Sequence, residues 1–337
     1  MRRPRITLAI ALAVVLISGV ILSSALGQLG ISPAEILRVL INQPGNDPLI
    51  ESTLWVVRFP RIVMGLVVGA ALAVAGAVMQ AIFGNPLAEP GVVGVSSGAA
   101  VGAAASIVFG FTLFGGWGTA VLAFAGALLA TLLVYVMSRA NGRTEVVTLL
   151  LTGIAINAFA GAALAFLLFV ADTASREQIT FWQLGSLNGS RWQEVLIVAI
   201  VTVIGLVIAL FLARRYDLLA LGERNARHLG VNVEALRIGS IVLVALLTGV
   251  AVAFCGIIAF VGLVVPHIIR MAIGPSHRAL IIASAVGGGA LIVYADLLAR
   301  TLVQGADLPI GMLTSLIGGP FFFYLLYRQR KRSGGWA

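Results

Sequence analysis

The chain has 337 residues, of which 60% are apolar and only 10% charged, with a net charge of +9 and a mean hydropathy of +1.07. Soluble domains have about a quarter charged residues, so this composition excludes a soluble enzyme, a disordered chain and a nucleic-acid binder. It indicates an integral membrane protein. All of the 22 basic residues except Lys331 are arginine, and Lys331 is followed by Arg332. Because a P-loop needs Gly-Lys-Ser/Thr to hold nucleotide phosphates, this chain cannot bind ATP in that way.

The hydropathy pattern predicts an all-α protein, because a helix crosses a bilayer with about 20 mostly apolar residues. About ten such spans follow one another along the chain: 6–26, 62–82, 92–110, 119–137, 146–170, 195–213, 238–254, 257–273, 279–299 and 310–327. The seventh and eighth divide one long apolar run, and Gly256 marks the predicted break. Pro266 lies in the eighth span and is expected to kink or break that helix, since it has no backbone N–H.

The distribution of basic residues predicts the orientation. With the N-terminus in the cytoplasm, 16 basic residues fall on inner segments and 6 on outer ones, so the positive-inside rule favours an N-in, C-in topology. Arg58, Arg61 and Arg300 are among the outer six.

Glycines recur every four residues at two places, at Gly65 and Gly69 and again from Gly94 through Gly98 to Gly102. Small residues on one helix face let two backbones approach closely inside a membrane, so we expect helix packing at these positions.

Ionisable residues are rare inside the predicted spans. Asp296 and Arg300 are four residues apart near the outer end of the ninth span, where they can pair. No HExxH or GxSxG motif is present, which argues against a membrane-embedded enzyme with a catalytic or metal site of its own. An ion-coupled carrier needs buried acidic or histidine groups near the midplane. It remains as an alternative of a different class.

The inner segment 214–237 separates the sixth and seventh spans. Leu221, Ala226 and Leu229 can form an apolar stripe there, and Gly222 and Gly230 mark turns. This pattern predicts one or two short amphipathic helices. Such a segment is either a solvated cytoplasmic loop or a docking site for a partner.

Several motifs together resemble the iron-siderophore, heme and cobalamin family of type II ABC importer permeases, over essentially the whole chain. They are RFPR (58–61), GNPLAEPGVVGVSSG (84–98), FWQLGSLNG (181–189), LGERNARHLG (221–230), GIIAFVGLVVPH (256–267), ADLLAR (295–300) and DLPIG (307–311). The resemblance implies a single permease domain over 1–337, located in the bacterial cytoplasmic membrane. It also implies two copies of this chain, two ATP-binding-cassette subunits that carry ATP and Mg²⁺, and an extracytoplasmic substrate-binding protein.

The resemblance also assigns roles to residues. The outer arginines Arg58, Arg61 and Arg300 would dock the binding protein. Coupling to the ATPase would involve Asp217, Leu221, Gly222, Glu223, Arg224, Ala226, Arg227, Leu229 and Gly230. The cytoplasmic gate would comprise Asn85, Pro86, Leu87, Thr144 and Thr148.

The cargo is expected to be an iron chelate, because the stretches 150–158 and 176–186 look most like the heme branch. A ferric siderophore is the first alternative and cobalamin the second. Ile154, Phe159, Phe166 and Phe169 on the fifth span are candidates for lining an apolar path. The chain itself is expected to bind no cofactor or metal and to catalyse nothing.

Overall fold

A computed structural model describes residues 2–43, 47–111, 115–140, 143–303 and 305–332. In these ranges the chain forms α-helices joined by short turns and one two-residue hairpin. The α-helices are α1 (Arg2–Ala25), α2 (Pro33–Leu40), α3 (Pro48–Ser52), α4 (Phe59–Phe83), α5 (Val95–Phe109), α6 (Gly118–Met137), α7 (Val146–Val170), α8 (Thr173–Leu184), α9 (Trp192–Leu219), α10 (Glu223–His228), α11 (Val233–Cys255), α12 (Val261–Ile273), α13 (His277–Ala299) and α14 (Ile310–Arg332).

Three shorter elements complete the described secondary structure. A π-helical turn, Thr53–Arg58, leads into α4, and 3₁₀ turns occupy Pro90–Val93 and Gly115–Trp117. The hairpin pairs Arg139 with Thr144 and Ala140 with Arg143 in antiparallel register. The all-α prediction is confirmed.

Seven helical stretches in the described ranges are long and apolar enough to cross a membrane. Three shorter apolar helices, α5, α12 and the apolar part of α14, accompany them. Each predicted span overlaps one of these ten elements, and two spans begin later than predicted.

The third span was predicted from residue 92, but α5 begins at Val95, because Pro90–Val93 forms a 3₁₀ turn and Gly94 has a left-handed φ of 81°. The eighth was predicted from residue 257, but α12 begins at Val261. Here Gly256 and Phe260 both have a φ of 68°, which interrupts the helix. The break that we predicted at Gly256 is therefore present.

Of the two expected effects of Pro266, a kink or a break, the break is absent, because α12 continues through the proline to Ile273. A proline at this position removes the N–H that would bond to the carbonyl of Gly262, four residues earlier. The side chain of Gln80 on α4 replaces that donor, since its Nε2 donates to the Gly262 carbonyl at 3.3 Å and to the Leu263 carbonyl at 3.4 Å. The neighbouring helix thereby satisfies the carbonyl that the proline leaves open.

Helix α4 lies at the centre of the fold and packs against α9, α11, α12 and α13. Its closest crossings occur at glycines. A Cβ atom placed on Gly69 would lie 2.1 Å from the Gly288 carbonyl oxygen of α13, and one on Gly76 would lie 1.9 Å from that of Gly262 in α12. The glycine spacing therefore has a packing function, as predicted.

Helices α5 and α6 also approach each other closely at glycines. A Cβ on Gly98 would lie 2.3 Å from the Gly126 carbonyl oxygen, and one on Gly102 would lie 2.0 Å from that of Leu122. Backbone contact of this kind replaces large side chains as the means of holding helices together in lipid.

Candidate functional sites on the two faces and in the interior

Three arginines meet at the end of the bundle where α1 ends and α4 begins. Arg58, Arg61 and Arg300 line one cavity of about 530 Å³, together with Asn188 and Asp307. They come from the π-helical turn, from the first turn of α4 and from the residue after α13. The structure thus brings together three residues that lie up to 242 positions apart in the printed sequence.

Arg61 is bound on two sides by carboxylates. Its Nε donates to Oδ1 and Oδ2 of Asp296 at 2.8 and 3.1 Å, and its Nη1 donates to Oδ2 of Asp307 at 2.7 Å. Arg61 and Asp296 are 7% and 2% exposed. The predicted pair of Asp296 with Arg300 is also present, at 3.5 Å, but it is longer than the contact with Arg61.

Arg58 and Arg300 are held mainly by neutral groups. Arg58 donates to the backbone carbonyls of Ser24 and Leu29, and Arg300 donates to the carbonyl and the hydroxyl of Ser23. These contacts orient the two guanidinium groups without cancelling their charge. Three arginines and Asp307 line the cavity, and together with the buried Asp296 these groups have a formal net charge of about +1, which favours an anion.

The three outer arginines are consequently not equivalent, although the sequence prediction treated them alike. Arg61 is already doubly paired within the chain, whereas Arg58 has no carboxylate partner among the described residues and Arg300 shares Asp296. Arg58 is only 4% exposed, so an acidic partner would have to reach into the cavity to meet it.

Glu89 is an acidic residue that the sequence analysis missed. The predicted spans leave residues 83–91 as an inner loop between the second and third of them. In the structure this segment packs against the bundle, and the Glu89 carboxylate accepts a hydrogen bond from the Phe260 backbone N–H at 3.1 Å. Phe260 is the N-cap of α12, so this acid satisfies one of the open N–H groups at a helix start. An acid between two prolines in an apolar stretch was the available signal.

Short helices explain why an acid is needed there. With a rise of 1.5 Å per residue, the 13 residues of α12 extend over about 20 Å, which is less than the hydrocarbon thickness of about 30 Å. Irregular backbone must therefore complete the crossing. Its N–H and C=O groups are tolerated at that depth only where other protein groups form hydrogen bonds with them. Glu89, Asn157, Thr248 and Gly262 line a cavity of about 300 Å³ at this junction.

Asn157 of α7 fastens the same segment from its other side. Its Nδ2 donates to the Gly91 carbonyl at 3.2 Å, and its Oδ1 accepts from the Ser97 hydroxyl at 2.6 Å. The segment that carries Asn85, Pro86 and Leu87 is thus bonded to α7 and to the N-cap of α12.

The predicted gate residues lie on either side of this region. Asn85 Oδ1 accepts from the Leu87 N–H at 2.9 Å, so the turn through Pro86 is held locally. Thr148, in the first turn of α7, donates to Glu145 at 2.8 Å. The side chain of Thr144 lies outside the described part of the chain.

The predicted path-lining residues project from a single, poorly covered helix. Ile154, Phe159, Phe166 and Phe169 of α7 are between 61% and 79% exposed. Apolar side chains with this exposure face either lipid or another apolar surface.

The coupling segment lies at the opposite end from the arginine cavity. Asp217 Oδ1 accepts from the backbone N–H of His277 at 2.8 Å and contacts its Nδ1 at 2.8 Å, which connects α9 to α13. Glu223 pairs with Arg227 at 3.3 Å and also with Arg237 of α11. The short helix α10 is therefore anchored to α11, and α9, which precedes it, is anchored to α13.

The apolar stripe predicted for this segment is wrong in one member. Ala226 is fully buried, because it is the residue by which α10 packs on the bundle, whereas Leu221 and Leu229 are 59% and 58% exposed. Gly222 and Gly230 have φ values of 99° and 83° and form the predicted turns at either end of α10. Arg224 is exposed beside them.

Comparison with known proteins supports one family. The sequence profile of the FecCD transport family matches residues 14–328. The hemin transport system permease protein HmuU of Yersinia pestis is 41% identical over 99% of this chain and 98% of its own. The cobalamin import system permease protein BtuC of Halobacterium salinarum is 44% identical over 82% of this chain and 74% of its own.

A solved structure extends the likeness to three dimensions. An inward-facing structure described as that of a metal-chelate type ABC transporter has a TM-score of 0.84 to this chain at 33% identity. It covers 95% of this chain and 98% of its own.

Proposed function

The chain belongs to the FecCD transport family and is the permease of an ABC importer in the cytoplasmic membrane, and we propose that it transports an iron chelate. Heme is the preferred cargo, and the channel is shared with a second copy of the chain. The observation that carries the assignment is the family match over residues 14–328. In keeping with it, the sequence has no P-loop, so ATP and Mg²⁺ belong to separate ATPase subunits. The chain then has no enzymatic activity of its own.

The outer arginine cavity is the proposed docking point for the substrate-binding protein. Arg58 and Arg300 supply the charge that an acidic side chain would meet, and Arg61 fixes the cavity wall through Asp296 and Asp307. Charge contacts of this kind mainly speed association and set register. The role is therefore divided between two docking arginines and one positioning arginine.

At the cytoplasmic end, α10 and its two glycine turns are the proposed contact with the ATPase. Leu221 and Leu229 are exposed apolar side chains that can enter a groove of a partner. Glu223 transmits displacement of α10 to α11 through Arg237. The bond of Asp217 to His277 does the same for α13.

The preference for heme rests on the hemin permease, which matches nearly the whole chain, and on the apolar character of α7. Phe159, Phe166 and Phe169 present wide apolar surface that suits a porphyrin. No group of three or more His, Cys, Asp or Glu side chains in the described part of the chain could hold a metal ion. Cargo would then pass without being coordinated. A ferric siderophore, and after it cobalamin, are the alternatives within the family.

The experiment uses the permease with its ATPase subunits, reconstituted in lipid, and the binding protein loaded in turn with hemin, a ferric siderophore or cobalamin. We expect hemin-loaded protein to stimulate ATP hydrolysis most and to drive hemin uptake. A catalytic-site variant of the ATPase should abolish that uptake, whereas an uncoupler at constant ATP should not. Stimulation by a siderophore without any by hemin would overturn the cargo, and uptake that survives the ATPase variant would overturn the mechanism.

A further inference from the structure

A groove at the C-terminal end of α9 borders the proposed coupling segment, and its two arginines have no part in the function proposed above. Its volume is about 440 Å³, and it lies between the last turns of α9 and the link from α10 to α11. The residues that matter for its chemistry are Phe211, Arg214, Arg215, Leu218, Leu229 and Asn232. We call it the α9 groove.

The apolar part of the α9 groove continues a lipid-facing helix surface. Along α9 the side chains of Ile200, Val203, Ile204 and Val207 are at least 50% exposed, and Phe211 is 76% exposed. In a helix that crosses the membrane, an exposed apolar face of this length contacts acyl chains. The groove therefore opens where α9 leaves the hydrocarbon.

The polar part of the groove carries positive charge without a counter-ion. Arg214 and Arg215 are both exposed. Neither forms an ion pair with any carboxylate of the described residues. The guanidinium carbon of Arg215 lies 5.8 Å from the centre of the Phe211 ring, which holds it over the aromatic face.

The apolar and the basic groups of the groove lie at the depths of the acyl chains and the headgroup of a phospholipid. Phe211 precedes the two arginines by three and four residues, so it lies about 5 Å deeper in the membrane at 1.5 Å per residue. The three residues and Leu218 also share one side of the helix, because their spacing is three or four residues. Apolar side chains thus lie below, and two guanidinium groups lie at headgroup level.

We propose that the α9 groove binds one anionic phospholipid of the cytoplasmic leaflet, with its phosphate on Arg214 and Arg215 and an acyl chain along Phe211. Guanidinium groups bind phosphate oxygens through paired N–H donors. Basic recesses beside membrane helices on the cytoplasmic side suit anionic headgroups. The inference rests on the proposed N-in orientation, which places this end of α9 in the cytoplasmic leaflet.

The α9 groove also borders the segment that we propose couples the permease to the ATPase. Leu229 and Asn232 form the wall opposite α9, and they belong to the link between α10 and α11. A lipid seated there would contact both the membrane helix and the segment proposed to meet the ATPase.

The test measures lipid retention by the full-length permease, purified alone in a neutral detergent, by native mass spectrometry. Phosphatidylglycerol and phosphatidylcholine with identical chains are offered at equal concentration. An arginine near an anionic lipid contributes about fivefold to binding, so the pair contributes roughly 25-fold. We expect the wild-type chain to retain one phosphatidylglycerol in strong preference, and the double variant Arg214→Gln, Arg215→Gln to lose that preference.

Two further variants and one competitor sharpen the result. Arg278→Gln removes an exposed arginine of the same face outside the groove and should keep the preference within twofold. The double variant Arg214→Lys, Arg215→Lys keeps the charge and should retain most of the preference for phosphatidylglycerol. Glycerol phosphate, a headgroup without chains, should not displace the lipid.

The outcomes separate this proposal from the proposed function. Equal retention by wild type and the glutamine variant would overturn the lipid site, as would full competition by glycerol phosphate, which would indicate a soluble phosphate as ligand. Since the ATPase and the binding protein are absent from this measurement, their failure to support import would leave its result unchanged.

Discussion

Replacing Arg61 with alanine should destabilise the protein far more than removing any exposed arginine of the same face. Three hydrogen bonds to two carboxylates would be lost. Asp296, which is 2% exposed, would keep only the 3.5 Å contact with Arg300. A buried charge deprived of its partner costs about 3–5 kcal/mol.

The two carboxylates should rank in the order of their burial. Asp296→Asn leaves Arg61 with Asp307 and is expected to cost about 2 kcal/mol, because hydrogen bonds to charged groups contribute roughly 1.5–3 kcal/mol. The side chain of Asp307 is 25% exposed, so water replaces part of its contact, and Asp307→Asn should cost about 1 kcal/mol.

Reversible unfolding in mixed micelles, titrated with SDS, gives these free energies. Arg38→Gln, on the exposed side of α2, is the matched control and should change stability by less than about 0.5 kcal/mol. The double variant Arg61→Met, Asp296→Leu should recover part of the loss, because it no longer leaves Asp296 buried without Arg61, although Arg300 loses its contact with that carboxylate. If Arg61→Ala and Arg38→Gln unfold at the same SDS fraction, the buried network is not what holds this end of the bundle.

Substitutions at Gly69, Gln80 and Glu89 test the interior. Gly69→Ala places a Cβ 2.1 Å from a backbone oxygen and should cost about 1–3 kcal/mol in the same unfolding assay, whereas Gly161→Ala, with nothing within 4 Å of its Cβ, should be neutral or stabilising by up to about 1 kcal/mol. Gln80→Leu leaves the Gly262 carbonyl without its donor and should cost about 1–3 kcal/mol, with faster hydrogen exchange in α12 as a second readout. Glu89→Ala should speed exchange of the Phe260 amide, while Glu89→Gln, which keeps an acceptor oxygen, should speed it less; equal rates in both variants and wild type would contradict the capping role.

The helices and their glycine contacts could be predicted because each depends on local pattern. Apolar length locates a span, and a four-residue glycine repeat indicates a close crossing, whichever helix the partner is. The start of α12 could not be located in that way. It depends on Phe260 adopting a left-handed φ and on Glu89, 171 residues away, accepting its N–H.

The arginine cavity also depends on contacts between distant parts of the chain. The sequence placed Arg58, Arg61 and Arg300 on one face, and that depended only on counting spans. Which of them is neutralised depends on the positions of Asp296 and Asp307 relative to α4, and no periodicity encodes that distance. The Ala226 error has a similar origin, because a six-residue helix with a single apolar residue does not reveal which side is buried.

The polar contacts of α4 explain how a close-packed interior can contain helices with interrupted backbone hydrogen bonding. Arg61 at its outer end bonds to α13 and to the segment before α14, while Gln80 near its inner end bonds to α12. Between them, over about 28 Å of helix, α4 meets α12 and α13 through the backbones of glycines, which supply no polar side chain. The side-chain hydrogen bonds of α4 to α12 and α13 thus lie where helices begin, end or lose a donor. These bonds fix α4, α12 and α13 to one another. Helix α7 lies outside this group and exposes phenylalanines, and it is the surface on which we propose that a second copy completes a path.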